Sequence, residues 1–360
     1  MEEPDTVPVT FSYVDPFMKL DEQKRGLGYD RFHELVKKTD IVLPRGPRSR
    51  GIFYSSTDAA KIDTVSRKDG SRTYYSDTLT TPAGQLCRES KTEEGVETTW
   101  RYSGFVANEE DAEKIRSIPF EPLDVDMSRV NTGQEELGDR GIVATGVADP
   151  ICNVSELFIL RDFAVTATRN KKVIIRLLDF YAERIEDYVR QMSEQTTDVM
   201  YRIVGPEYVT PPILSPSLFD EFVVPYDKRL VDIIKENDNV ACIHCHGKIG
   251  TVLSGMRSIN PHVLEPIEPP PLGDVELTEI KRRLGDRTCL MGYIQYRDLS
   301  FDKPAEMREK VRSAIEQGGP GGGYILFPTA EPIATITDRL FANQKEFVRS
   351  GREFGRYHPG

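Results

Sequence analysis

The sequence predicts an α/β protein whose body is one (β/α)8 TIM barrel carrying an N-terminal extension that contains a β-hairpin. Three observations predict it. From about Ile142 onward, short apolar strand-like segments alternate with helical ones, as parallel βα units do. Polar and ionisable residues recur just after the strand segments, where a barrel places its reactive groups. A length of 360 residues suits one barrel domain, since such barrels reach this size without splitting.

Residues 1–120 are read as the extension, packed on the barrel. Residues 7–13 look strand-like and residues 30–39 helix-like. Residues 63–68 and 71–75 flank Asp69-Gly70, a turn pair that joins antiparallel strands. A second strand pair runs through Leu86 and from Thr98 to Tyr102, with Trp100, Tyr74 and Tyr75 as core or cross-strand contacts. Residues 121–360 form the barrel body. Its strands are read at 142–145, 199–203, 240–243, 263–264, 289–291 and 324–327. The helices between and after them fall at 172–192, 219–235, 250–258, 277–284, 304–317 and 333–351. The glycine-rich run 318–323 precedes a strand, whereas a phosphate-cradling loop leads from a strand into a helix, so it reads as a connection.

Composition limits the function. A 38% hydrophobic and 29% charged chain can bury a sizeable core. Its formal charge of −11 argues against a sequence-independent nucleic-acid binder, which needs Lys and Arg against phosphates. No apolar run approaches a membrane span, and the acidic N-terminus lacks a signal-like pattern, so a cytoplasmic protein with no membrane partner is expected. The five cysteines are mostly scattered, which suits reduced thiols.

One stretch concentrates the chemistry. Val240-Ala241-Cys242-Ile243-His244-Cys245-His246-Gly247 carries two of the five histidines at the end of an apolar run. His244 and His246 lie two apart, so an extended chain points both to one side and Cys245 to the other. Two imidazoles on one side suit zinc, which takes three protein ligands in a catalytic site; Glu207 or Glu331 would supply the third. Prolines flank Glu207 and Glu268 and would hold their carboxylates for base or ligand duty. Glu265 reads instead as a solvated loop carboxylate. Asp149 and Gln295 follow other strand segments.

Residues 213–222, Ile-Leu-Ser-Pro-Ser-Leu-Phe-Asp-Glu-Phe, with Val224-Pro225-Tyr226 after them, resemble the Leu-Ser-Pro…Phe…Phe…Pro-Tyr signature of the uroporphyrinogen decarboxylase superfamily. His244-Cys245-His246-Gly247 is similar to the His-x-Cys-Gly motif of its methyltransferase branch. Thr81-Pro82-Ala83-Gly84 with Trp100, the segment Leu290-Met291-Gly292-Tyr293-Ile294, and residues 322–328 match more weakly, in the family's order. The resemblance implies a barrel enzyme that moves a methyl group between a small methylated substrate and a corrinoid (cobalamin), assisted by zinc. Together with the strand-end positions, this gives His244, His246 and Glu331 as expected metal ligands, Glu207 and Glu268 as expected catalytic carboxylates, and Asp149, Tyr293 and Gln295 as expected cofactor contacts. The motif's cysteine is replaced by His246, and its later cysteine falls near Thr329-Ala330-Glu331. This nitrogen and oxygen set suits zinc acting on an O-methyl group. No Asp-x-His-x-x-Gly motif is present, so the corrinoid is expected on a separate protein. Two alternatives are a uroporphyrinogen decarboxylase-like lyase, disfavoured because residues 11–17 lack arginine, and a non-catalytic binding barrel.

Overall fold

The structure is a computed structural model that describes residues 3–11, 14–18, 26–330 and 335–357. Seven parallel strands form one curled sheet: β1 (Ile41–Pro44), then, past a separate four-stranded sheet, β6 (Gly141–Ala148), β7 (Met200–Val204), β8 (Val240–His244), β9 (Val263–Ile267), β10 (Cys289–Ile294) and β11 (Tyr324–Pro328). They stand in sequence order, each beside its predecessor, the arrangement that right-handed βα crossovers generate. The edges of this sheet meet at the N-terminal segment. Thr10 N–H donates to Leu326 O and Leu326 N–H to Pro8 O on the β11 side, while Asp40 N–H, just before β1, donates to Val9 O. Residues 8–10 thus take the eighth position of the ring. The first two staves therefore come from the region read as an extension, and residue 120 is no boundary between bodies.

Each of the seven strands sends one side chain into a common apolar layer: Val42, Ala144, Met200, Cys242, Val263, Met291 and Phe327. A flat sheet could not gather these residues, and the layer fills the barrel's interior as a packed core. Alternate residues face outward against the helices in a second, larger core. In the helix Lys171–Ser193, Val173, Ile174, Leu177, Leu178, Tyr181, Ile185, Val189 and Met192 are buried, a stripe at helical spacing. Burying Leu177 and Leu178 contributes about 1.5–3 kcal/mol each.

The other sheet is antiparallel: β2 (Lys61–Asp69), β3 (Arg72–Thr81), β4 (Gly84–Glu93) and β5 (Val96–Arg101). The expected hairpin is present, with Asp69 paired to Arg72 around Gly70, whose φ of 60° needs the left-handed region. Trp100 lies opposite Lys91 and Tyr74 opposite Arg67, as cross-strand contacts.

Three expectations change. The helix read at 219–235 is two helices, Pro216–Phe222 and Val224–Glu236, since Pro225 cannot donate to the preceding turn. The described part of the closing helix runs from Asp338 to Phe354. The strand at 263–264 continues through Glu265 and Pro266 to Ile267, because a proline in a strand looks like its end in sequence. No described helix is long and apolar enough to cross a membrane.

Candidate active site

Two residues above the apolar barrel layer, strand alternation turns Arg202 of β7, His244 of β8 and Glu265 of β9 inward together. Arg202 Nε donates to Glu265 Oε1 at 2.5 Å, and a terminal Arg202 nitrogen lies 2.6 Å from His244 Nδ1 and 3.2 Å from Nε2. His244 Nδ1 is also 2.8 Å from Glu265 Oε1. That nitrogen serves one neighbour at a time, accepting from Arg202 as a lone pair or donating to Glu265 as N–H. Glu265 is 1% exposed, which corrects its reading as a solvated carboxylate. Burial alone would raise its pKa, but the charges of His244 and Arg202 outweigh this and hold it down at about 2.

His246 follows the strand and is half-buried, its ring centroid 4.6 Å from that of His244 at 82°. Its Nδ1 stands 3.5 Å from Glu268 Oε2. The same carboxylate oxygen accepts from Gly247 N–H at 2.7 Å, reached because Gly247 turns with a φ of 85°. Burial pushes the His246 pKa down, but the hydrogen bond and charge of Glu268, with Glu207 and Glu265 further off, raise it overall. Glu268 is lowered in return, by His246 and Gly247, against the opposing effect of burial.

An acidic group lies near Cys245. Asp149, fully buried, caps the helix Pro150–Ser155 by accepting from Cys152 N–H at 2.6 Å. Asp227, from the helix Val224–Glu236, is also buried and within hydrogen-bonding reach of Asp149. Burial raises both pKa values; the charge of Asp227 raises Asp149 further, whereas at Asp227 the hydrogen bond to Asp149 lowers the value and the charge of Glu207 raises it, so the pair holds a proton above the ordinary carboxyl range. Glu207 adds a third carboxylate on the turn Pro206–Val209, and its Oε2 is buried with no hydrogen-bond partner among the described residues. Gly205 makes this approach possible: at its φ of 138° a Cβ would sit 2.0 Å from Asp149 Oδ1 and 2.5 Å from Cys152 Cβ. Gly205→Ala is expected to cost at least ~2 kcal/mol, measured by urea unfolding.

The buried pair also sets a pH dependence. The folded state holds its proton more tightly than the unfolded chain, so stability is full below the ordinary carboxyl range. It falls as pH rises from ~4 toward the raised folded pKa, by up to ~1.4 kcal/mol per unit. Asp227→Asn is expected to flatten that decline in unfolding curves taken between mildly acid and mildly alkaline pH.

The predicted site residues are partly brought together. His244, His246, Glu207 and Glu268 gather at the C-terminal ends of β7, β8 and β9. Tyr293 and Gln295 stand at the end of β10, Tyr293 donating to Glu276 Oε2 at 3.1 Å and Gln295 Nε2 to Pro269 O at 3.2 Å. Asp149, expected to touch a cofactor, is engaged as cap and acid partner. Glu331 lies outside the described residues. Among the described residues no three His, Cys, Asp or Glu side chains are placed to hold a metal ion, and Arg202 presses a permanent cation against both nitrogens of His244. The described side chains therefore do not make a zinc site in this arrangement. Cys245 is buried in the strand–helix core, its thiol pKa raised by burial and then by the neighbouring carboxylates. Arg202 and Asp227 went unread in the sequence. Asp227 carried a signal: Leu230, Val231 and Ile234 follow it at helical spacing on the buried face.

No curated protein matches the chain by sequence. Among solved structures, a methyltransferase from Methanosarcina mazei matches with a TM-score of 0.60 at 17% identity, over 98% of this chain and 95% of that one. A GH5-4 broad specificity endoglucanase from Clostridium acetobutylicum gives a TM-score of 0.38 at 11% identity, over 63% of this chain and 79% of that one, too slight a likeness to carry an argument. The first likeness supports the barrel fold. A family model described as uroporphyrinogen decarboxylase (URO-D) matches residues 85–340, most of the barrel and both histidines at its mouth, and the chain belongs to that family.

Proposed function

We propose that the chain is an enzyme, a cytoplasmic methyltransferase that takes a methyl group from a small oxygen-linked methyl donor and passes it to a corrinoid carried by a separate protein. The observation that carries this reading is the His246–Glu268 pair at the barrel mouth, with Nδ1 toward the carboxylate at 3.5 Å. Displacing methyl from oxygen breaks the C–O bond and leaves the electron pair on oxygen, a poor leaving group unless it is protonated. His246, oriented by Glu268 through Nδ1, presents Nε2 to that oxygen and gives it a proton as the bond breaks. The reduced corrinoid supplies the electron pair that forms the new bond to methyl. Arg202, His244 and Glu265 form the rigid floor of the site, and the carboxylate of Glu207 adds negative charge that favours the protonated His246.

No step of this reaction runs through zinc. His244, His246 and Glu331 remain its candidate ligands, and metal analysis of the purified protein with and without His246→Ala decides the matter. The function is tested by screening methoxylated and other methylated donors with cob(I)alamin, read by loss of the Co(I) spectrum. Protein-dependent methylcobalamin formation supports the proposal, and its absence with every donor contradicts it.

A further inference from the structure

Strand β2 is the open edge of the antiparallel sheet: it pairs with β3 on one side, and all nine of its residues are exposed. A long exposed edge is ordinarily blunted by charge, because its unpaired N–H and C=O groups invite another strand. Here the charges are ordered so that they attract a second copy of the same strand. The sequence Lys61-Ile62-Asp63-Thr64-Val65-Ser66-Arg67-Lys68-Asp69 reads as its own complement about Val65. In an antiparallel pair centred there, Lys61 faces Asp69, Asp63 faces Arg67, and Val65 faces Val65.

The backbone register agrees. Asp69 and Arg72 pair across a two-residue loop, which makes them a mutually hydrogen-bonded pair, so every odd-numbered residue of β2 bonds inward to β3. The N–H and C=O groups of residues 62, 64, 66 and 68 therefore point to the open side. Centring on Val65 puts 64 opposite 66 and 62 opposite 68, so every new backbone bond joins two outward-pointing residues. The charged pairs then fall at the non-hydrogen-bonded positions, where side chains approach closest. Neighbouring registers are penalised: a slip of two residues one way sets Lys61 against Arg67, and the other way Asp63 against Asp69. In the single chain Lys61 meets Asp63 at 2.9 Å and Arg67 meets Asp69 at 3.8 Å along the strand, with the Arg67 guanidinium also 5.0 Å from the Tyr74 ring centroid, and all four charged side chains are more than half exposed. Val65 is 71% exposed, and covering it adds an apolar contact on the symmetry axis.

We propose that two copies of this chain associate through β2, joining their four-stranded sheets into one continuous antiparallel sheet about a twofold axis. The interface is isologous and small, so association is reversible and concentration-dependent. It is independent of the catalytic proposal.

Sedimentation of the full chain across the micromolar range tests it, with folding of every variant checked by circular dichroism. The wild type is expected to shift from monomer to dimer. Asp63→Arg sets two cations against each other and Arg67→Asp two anions, and each is expected to weaken dimerisation at least ~tenfold. An equimolar mixture of the two variants restores opposite charges at both positions and is expected to dimerise where neither does alone. Ser66→Pro removes an outward N–H without touching the bonds to β3, and is expected to leave a folded monomer. A wild type that stays monomeric throughout, a dimer that both charge variants retain, or a mixture that fails to associate would each overturn the proposal.

Discussion

Arg202→Met is expected to lower the unfolding free energy by about 3–5 kcal/mol, because it leaves the fully buried Glu265 carboxylate without its permanent cation. The pair sits in the barrel interior, where Glu265 takes both the Arg202 Nε bond at 2.5 Å and the His244 contact at 2.8 Å. Removing one partner exposes the desolvation cost of the other, whereas removing both does not. Arg202→Met combined with Glu265→Leu is therefore expected to recover most of the loss, since an apolar pair of similar volume would extend the layer formed by Met200, Cys242 and Val263. Urea unfolding of the two single variants and the double variant measures this coupling. Equal destabilisation by all three would mean that the pair is no buried ionic unit.

The second large effect concerns chemistry. Glu268→Ala removes the carboxylate that orients His246 and accepts from Gly247 N–H. It is expected to cut kcat/KM for methyl transfer about 10²–10³-fold while costing far less stability than the Arg202 change, because Glu268 lies at the mouth. His246→Ala is expected to cut it further, toward the ~10⁴-fold limit of a lost general acid. Glu268→Gln keeps a hydrogen-bonding group at that position and should retain part of the rate. A Glu268→Ala variant with unchanged kcat/KM would remove Glu268 from the site.

The βα alternation was legible because strand and helix periodicity differ, and the strand near Val240, the helix Leu277–Leu284 and the hairpin about Gly70 fall where the pattern places them. The gathering of His244, His246, Glu207 and Glu268 was legible for a related reason, since barrel topology brings strand ends together whatever the separation in sequence. Glu265 was misread because Pro266 looks like a strand end, although the pairing of β9 with β10 resumes at Ile267. Arg202 was missed because a single charge in an apolar strand does not announce its partner: its role depends on the register that sets His244 opposite Val204 on one side and Glu265 on the other. Residues 7–13 read as strand-like, but their place as the eighth stave was not legible, since residues 8–10 join the ring through a few bonds supplied by β11 and Asp40. Asp149 was placed correctly after its strand, but its burial depends on Asp227 and Gly205, which only the packed structure brings against it.

The most direct measurement is single-turnover methyl transfer to cob(I)alamin by wild-type protein and His246→Ala, with each responsive donor and with uroporphyrinogen as a parallel substrate. The account predicts methylcobalamin formation by the wild type, a drop of about 10²–10⁴-fold in the variant, and no release of carbon dioxide from uroporphyrinogen. Decarboxylation of uroporphyrinogen without methyl transfer, or methyl transfer that His246→Ala leaves unchanged, would contradict it.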